Sequence, residues 1–376
     1  MSCCEWPGLR TWVLWAALLA GAAAGPLRGV EDRVTKYKNN EVIVGTVKKA
    51  ELTNVDMEVR DPRTQAVANV SLAAAEISDI EWDVADAEWR AATSAYEGAK
   101  YAQAAQGFLG IVSDPEAFDK IRLAAKAALY YYCAESLYRA GKAPEAVPLF
   151  EKLMSDFKTS YYVPRAVGSL VDALIQMKEF NKATGLLKPL RELGGEQKPL
   201  ADYFEGQIML AQGKPQDAEK LFASAAVATS VPATKGMALM GQAQCAIASN
   251  NLARGRELAQ RALMAGPPAS VAGAAHLTIG EAILTEIEAE RPADLQGKLM
   301  DALLEFMRVL EQYKGDPRTE PQAMLKAGDC LARLSKLPNR GGDRYRAQQM
   351  YNRLINDTRY RNTRWGAQAA EAIKKL

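Results

Sequence analysis

Residues 134–153 read AESLYRAGKAPEAVPLFEKL, and this stretch contains the pattern that decides the fold. The small residue Ala146 is followed four positions later by Phe150, and three positions after that by an aliphatic residue. This spacing places the three side chains on one face of an α-helix. Gly141 interrupts the helical pattern and separates this segment from a leading helix that carries its own small residue, Ala134. The stretch therefore predicts two antiparallel helices joined by a short turn.

The same triplet recurs along the chain at intervals of 35 to 47 residues. The copies are Ala104-Phe108-Ile111, Ala146-Phe150-Leu153, Ala183-Leu187-Leu190, Ala218-Phe222-Ala225, Gly255-Ala259-Ala262, Ala302-Phe306-Val309 and Ala347-Tyr351-Leu354. Each copy follows a helical segment with a small or slender residue of its own: Ala92, Ala134, Val171, Gly206, Ala243, Gly280 and Gly328. Two helices approach closely only where one presents a small residue and the other inserts a bulky one. A repeat of this period predicts stacked helical hairpins.

In these residues the chain resembles the tetratricopeptide repeat family. The likeness rests on Gly141…Ala146…Phe150, Phe180…Ala183…Leu187 and Gly213…Ala218…Phe222, and it covers residues 86–376. The links at 156–166 and 312–323 resemble those of exported bacterial repeat proteins such as the outer-membrane β-barrel assembly lipoprotein and the periplasmic cell-division coordinator. The resemblance implies a mainly α fold, a right-handed α-solenoid of about seven helical hairpins, and a non-catalytic adaptor. The repeats here exceed the family's usual length of about 34 residues.

Residues 34–83 have a different pattern from the repeats. The segment 54–59 alternates polar and apolar residues, which is typical of a half-buried strand. Segments 41–47, 67–72 and 77–82 supply further candidate strands. We therefore expect a small β-rich module that resembles SH3-like or Sm-like barrels in the rhythm of its strands. It serves either as a packing cap on the first helices or as a binding module of its own.

The N-terminal segment is typical of an export signal. An uncharged, apolar run follows Arg10 and ends in the small residues 22–24. We expect residues 1–24 to be a signal peptide and residues 25–33 a linker, so that the protein is exported to the periplasm or the outer envelope. The alternative is that the run stays as an anchor in the inner membrane. No cysteine lies just after the run, which excludes lipidation by the lipoprotein route.

Composition argues for a binding protein and against catalysis. The chain has 376 residues, a net charge of +2 and one histidine, His276. A single histidine leaves little room for histidine-based metal sites or nucleophilic triads, and a near-neutral chain lacks the cationic excess of nucleic-acid binders. Three cysteines beyond the signal, Cys133, Cys245 and Cys330, lie within helical patterns and are expected to be buried thiols. We expect no catalytic residue, no cofactor and no metal, with His276 packed between helices.

The expected binding site is the concave face, which is lined by the first helix of each hairpin. Aromatic, amide and charged groups together suit a groove for an extended peptide or a loop of a partner protein of the cell envelope. The groove positions that the resemblance implies are Trp89, Tyr96, Tyr131, Glu135, Tyr138, Arg139, Asp172, Gln176, Tyr203, Gln207 and Gln244.

A second candidate surface is the basic C-terminal segment. From residue 338 onward it carries nine basic residues against three acidic ones, with several aromatic residues among them. Such a surface could contact anionic lipid or peptidoglycan at the membrane periphery, which is the alternative function, or it could be the polar face that ends a solenoid. The candidate residues are Arg344, Arg346, Arg353, Arg359, Arg361 and Arg364.

Overall fold

The computed structural model describes residues 31–36, 41–61, 63–290, 292–313, 316 and 319–376. The predicted signal peptide at 1–24 and most of the predicted linker lie outside the described residues. Within them, an N-terminal antiparallel sheet is followed by a long series of α-helices. None of the described helices is long and apolar enough to cross a membrane.

The sheet has five antiparallel strands in the order β4-β3-β2-β1-β5, in which β1 to β4 form a meander and β5 pairs with β1 at the far edge. The strands are β1 (Asp32–Lys36), β2 (Val42–Ala50), β3 (Asn54–Arg60), β4 (Val67–Ala73) and β5 (Ile77–Glu81), with a 3₁₀ turn at Ala74–Glu76. The predicted β-rich module is confirmed, and β1 begins two residues before the expected start of the module. Strand β3 shows why the alternation was informative, because Val55 and Met57 are buried while Asp56 and Glu58 are on the opposite face.

The sheet is docked against the second and third helical hairpins by specific polar contacts. Leu52 N donates to the carbonyl of Thr159 at 2.7 Å, and Tyr161 N donates to the carbonyl of Ala50 at 3.0 Å, so the loop beside β2 extends its ladder. Trp82 Nε1 donates to Tyr162 Oη at 2.7 Å in the buried junction. One hydrophobic cluster runs without a break from the sheet into these hairpins. The module and the first repeats therefore share one core.

The described helices form seven hairpins, which confirms the predicted solenoid architecture. A short helix, α3 (Pro115–Lys120), lies between the first two hairpins, and α17 (Arg364–Lys374) follows the last. The first helices of the hairpins are α1 (Ala87–Glu97), α4 (Leu123–Arg139), α6 (Val163–Gln176), α9 (Gln197–Ala211), α11 (Pro232–Ala248), α13 (Ala269–Glu290) and α15 (Glu320–Leu334). The second helices are α2 (Tyr101–Ser113), α5 (Ala143–Asp156), the pair α7 (Phe180–Gly185) and α8 (Leu187–Glu192), α10 (Pro215–Ala228), α12 (Leu252–Met264), α14 (Leu295–Gln312) and α16 (Asp343–Asn356).

The helices pack through the small-and-bulky pairs that the sequence predicts. Phe222 is fully buried, and its ring lies where a Cβ on Gly206 or on Gly241 would come within 2.6 Å. Phe306 meets Gly280 in the same way, again at 2.6 Å from the position of a Cβ. These contacts leave no room for a side chain on the glycines, so the glycines set the distance between the helices.

The turns inside the first five hairpins share the same backbone conformation at one position. The residue seven positions after the small residue of the first helix has φ between 55° and 81° in every case, in the left-handed region that favours glycine. Two of the five are glycines, which explains why Gly141 and Gly213 are visible as breakers in the sequence. The five residues are Ala99, Gly141, Lys178, Gly213 and Asn250.

The second helix of the third hairpin is broken, unlike its counterparts. Pro189 has no amide hydrogen, so the helical bond to the carbonyl of Gly185 cannot form. The helix accordingly divides at Leu186 into α7 and α8. Ala183 and Leu187 remain fully buried on either side of the break, so the repeat contact survives.

We expect Gly280→Ala to reduce the free energy of unfolding by about 1–3 kcal/mol, because the new methyl group overpacks the contact with Phe306. The matched control is Gly185→Ala, where an added Cβ has no atom within 4 Å, and we expect that change to be neutral or slightly stabilising. Chemical denaturation followed by circular dichroism measures both. Equal effects of the two substitutions would contradict the packing role of Gly280.

Candidate functional site

A large groove runs along the concave face and has a volume of about 1610 Å³. It is lined by successive first helices from α4 to α15 and, at one end, by the sheet module. Leu52, Thr53, Ile77 and Ser78 form that end wall. The module is therefore part of the groove as well as a cap on the solenoid core.

Five consecutive first helices each contribute one polar side chain at the same repeat position. This position directly follows the small residue that packs against the second helix, so it is rotated by about 100° from the packed face toward the groove. All five side chains line the groove, and we call them the polar ladder. The ladder consists of Glu135, Asp172, Gln207, Gln244 and Glu281.

The first ladder residue is a buried and fully engaged carboxylate. Glu135 is only 3% exposed, and it accepts hydrogen bonds from Arg139 Nε at 2.6 Å and from Ser169 Oγ at 2.5 Å. Arg139 also donates to Tyr101 Oη at 3.2 Å, and its guanidinium lies over the ring of Tyr101. Burial opposes the charge on Arg139, but the neighbouring Glu135 more than compensates and raises the pKa of the guanidinium. Both residues lie on α4, and through Ser169 and Tyr101 they link this helix to α6 and to α2.

The amide side chains of the groove differ in their hydrogen bonding to the rest of the protein. Gln176 Nε2 donates to Tyr138 Oη at 2.9 Å, and Gln207 Nε2 lies 3.3 Å from Tyr203 Oη. Gln244, in contrast, makes no hydrogen bond to any described residue. Amides can both donate and accept, so they can pair with the backbone of a ligand whatever its side chains are.

The central part of the groove is apolar. Met237 and Met240 come from α11, Leu200 from α9, and Val271 and Leu277 from α13. Methionine side chains are flexible and adapt to irregular ligand shapes. The groove therefore combines a regular polar row with an adaptable apolar surface.

Nine of the eleven predicted groove residues line this cavity, and two do not. Trp89 is 2% exposed, its ring packs edge-on against Phe108, and the prediction that it faces the groove is wrong. Tyr96 lies among Tyr101 and Tyr132, where burial raises the pKa of its hydroxyl, and it does not reach the groove either. At this end the module residues take the place of the first hairpin in the wall of the groove.

Several groove residues were not identified from the sequence. Glu281 follows Gly280 as Gln244 follows Ala243, so the repeat pattern itself contained the signal. Arg165 lies beside the module, with its guanidinium 4.1 Å from the centre of the Tyr161 ring and Nη2 3.2 Å from the carbonyl of Ser78. Nothing in the sequence indicates that Arg165 meets the sheet, because the two are 87 positions apart.

Two of the arginines of the predicted basic C-terminal surface are already paired with carboxylates of the protein. Arg359 pairs with Glu320 at 3.2 Å and with Asp357 at 2.7 Å, and Arg346 pairs with Asp343 at 3.2 Å. All six arginines are exposed; Arg364 stacks on Trp365, and the other three form no ion pair with a described residue. Those three are Arg344, Arg353 and Arg361.

The single histidine is packed between helices α13 and α14. His276 is largely buried on α13, its Nδ1 lies 2.6 Å from Glu305 Oε2 on α14, and its ring stacks on Tyr313. Among the described residues, no group of three or more histidine, cysteine, aspartate or glutamate side chains is arranged to hold a metal ion.

Similarity to known proteins is found only among solved structures. No protein-family model matches the sequence, and no curated protein matches it. Among solved structures, the chain is similar to human IFIT1 in its dimer with m7Gppp-AAAA, with a TM-score of 0.45 and 16% identity over 71% of this chain and 58% of that one. It is also similar to PilW, a widely conserved type IV pilus biogenesis factor, with a TM-score of 0.42 and 13% identity over 65% of this chain and 98% of that one.

A tetratricopeptide repeat protein from Parabacteroides merdae is similar as well, with a TM-score of 0.41 and 13% identity over 75% of this chain and 97% of that one. The chain spans only 58% of the length of the human protein. At this level of identity and overlap, none of these likenesses carries a function over to this chain.

The three thiols beyond the signal segment are all buried, as expected, and we predict that they are unreactive in the native protein. Burial raises the pKa of Cys133 and of Cys330 to about 12, and the pKa of Cys245 to about 11. At neutral pH they are therefore protonated as well as inaccessible, and the thiolate is the reactive form.

A Cys3→Ser/Cys4→Ser variant treated with Ellman's reagent measures this directly. We expect no rapid reaction when the protein is folded and the release of three equivalents after denaturation in guanidinium. Rapid labelling of one thiol in the folded protein would show that a cysteine is poised for chemistry.

Proposed function

We propose that the protein is a non-catalytic scaffold of the cell envelope that binds an extended segment of a partner protein along its concave groove. The observation that carries the proposal is the polar ladder, whose four members after the buried Glu135 are partly exposed in the same groove. An extended peptide has backbone donors and acceptors at regular intervals, and a regular row of polar side chains can pair with them.

The composition of the groove supports a peptide more than a small molecule. A volume of about 1610 Å³ exceeds the roughly 300–1,000 Å³ of ordinary ligand pockets. Tyr138 and Tyr203 are partly exposed, and tyrosine offers a large contact area with few rotatable bonds. The apolar centre around Met237 would receive aliphatic or aromatic side chains of the bound segment.

The sheet module has a role in this proposal. Its residues close one end of the groove, so a bound segment would end against Leu52, Thr53 and Ile77. The module would thereby fix the register of the segment, in addition to covering the core of the first hairpins.

We expect the double variant Gln207→Ala/Gln244→Ala to bind display-selected peptide ligands about tenfold more weakly than the parent protein. Two backbone-pairing amides are lost, and a tenfold change corresponds to about 1.4 kcal/mol. Both residues are partly exposed and make few internal contacts, so the fold should be retained. Peptides selected against the purified protein, with affinity measured by calorimetry, provide the test.

The matched control is Lys220→Ala on the second helix α10, whose side chain is exposed and outside the groove. We expect this variant to bind like the parent protein. If the two variants lose the same affinity, or if neither does, the ligand does not lie along the ladder.

The envelope location rests on the N-terminal segment, and it has a separate test. We expect Leu18→Arg/Leu19→Arg to block export, because two charges interrupt the apolar run that the export machinery recognises. Leu18→Val/Leu19→Val keeps the run apolar and should be exported normally. Cell fractionation of both variants decides the matter, and export of the arginine variant would contradict the signal peptide.

A further inference from the structure

The two edges of the five-stranded sheet differ in how far other parts of the chain cover them. At the β5 edge, Tyr161 Oη donates to the carbonyl of Ile77 and Arg165 donates to the carbonyl of Ser78, both at 3.2 Å. At the other edge, β4 pairs with β3 along its whole length and no described strand pairs with its outer side. One edge is therefore covered by side chains of the solenoid, and the other is open.

The hydrogen bonds at the two ends of β4 show which of its backbone groups face outward. Ala66 O accepts from Asp61 N, and Ala74 N donates to Thr53 O, so residues with even numbers point their backbone groups toward β3. In an antiparallel ladder the direction alternates along the strand. The N–H and C=O groups of Val67, Asn69, Ser71 and Ala73 therefore point away from the sheet.

Strand β4 lacks the devices that normally protect an edge. Its sequence, VANVSLA, has no proline and no charge, and its pairing with β3 has no bulge. Val67 is 54% exposed. Natural proteins usually block such edges with lysine, proline or a bulge, because an open, uncharged edge pairs with another strand.

We propose that β4 is a self-association edge, at which it pairs in antiparallel fashion with β4 of a second copy of this chain. A two-fold axis at Val70 places Val67 opposite Ala73 of the second copy and Asn69 opposite Ser71. Every outward-facing residue then meets another outward-facing residue, as a hydrogen-bonded ladder requires. On the inner face, the half-buried Val70 lies beside its own counterpart, which extends the apolar layer that it shares with Met57.

The charges at the two ends of β4 are opposite in sign, which favours this antiparallel self-pairing. Arg60 and Arg63 lie at the Val67 end of the strand, and Glu76 lies just beyond the Ala73 end. All three are exposed and form no ion pair with a described residue. The two-fold arrangement brings the basic end of one copy to the acidic end of the other. A contact of one strand per copy is smaller than a standard interface of about 1,200–2,000 Å². We therefore expect a weak dimer that dissociates on dilution.

Proline at an outward-facing position tests strand pairing directly. Asn69→Pro removes an N–H that β3 does not use, so the monomer can tolerate it at an edge, but it blocks the added strand. Asn69→Ala keeps the N–H and is the matched control. By sedimentation equilibrium over a concentration series, we expect the parent and Asn69→Ala to dimerise, and Asn69→Pro to do so at least about tenfold more weakly.

A charge exchange tests the same contact without proline. Arg60→Glu/Arg63→Glu should weaken the dimer, and the further change Glu76→Arg should restore it, because the two ends again carry opposite signs. A parent protein that stays monomeric at every concentration overturns the proposal. So do equal losses in Asn69→Pro and Asn69→Ala, or a failure of Glu76→Arg to restore association. Each outcome is independent of peptide binding in the groove, which the ladder variants measure.

Discussion

The close approach of a small residue on one helix to a bulky ring on the next is the constraint on which the rest of the structure depends. Gly206 and Gly241 both lie against the ring of Phe222, and the position of a Cβ on either would lie 2.6 Å from the ring. Because protein interiors are packed like crystals, such a contact sets the spacing of the helices within narrow limits. Repeated along the chain, the same spacing determines how the hairpins stack, and the stack forms the groove.

The packing positions also determine where the polar ladder lies. A ladder residue follows each buried small residue, and one step along an α-helix turns the side chain by about 100°. The side chain therefore leaves the packed interface and enters the concave face. Binding residues and packing residues are coupled in this way, so a change at Gly280 would be expected to shift Glu281 as well. The regular ladder is a consequence of regular packing.

The sheet module shows the limit of local patterns. Alternation in residues 54–59 indicated a half-buried strand, and the strand is present at Asn54–Arg60. The same pattern did not show that β2 would be extended by the loop at Thr159, or that Arg165 would meet the carbonyl of Ser78. These contacts join segments far apart in sequence, and strand periodicity reports only which face of a strand is buried.

The sequence by itself determined the helical hairpins, their period and their packing residues, because these depend on side chains three to seven positions apart on one helix. Nine of the eleven residues that it suggested for a binding groove line the cavity, and their role in binding stays a prediction. Only the tertiary structure decided the rest. Trp89 and Tyr203 hold the same repeat position, three residues before a small residue, yet Trp89 is buried and Tyr203 lines the groove. The physical reason is that exposure depends on which distant segment covers a position, and a local pattern contains no information about that segment.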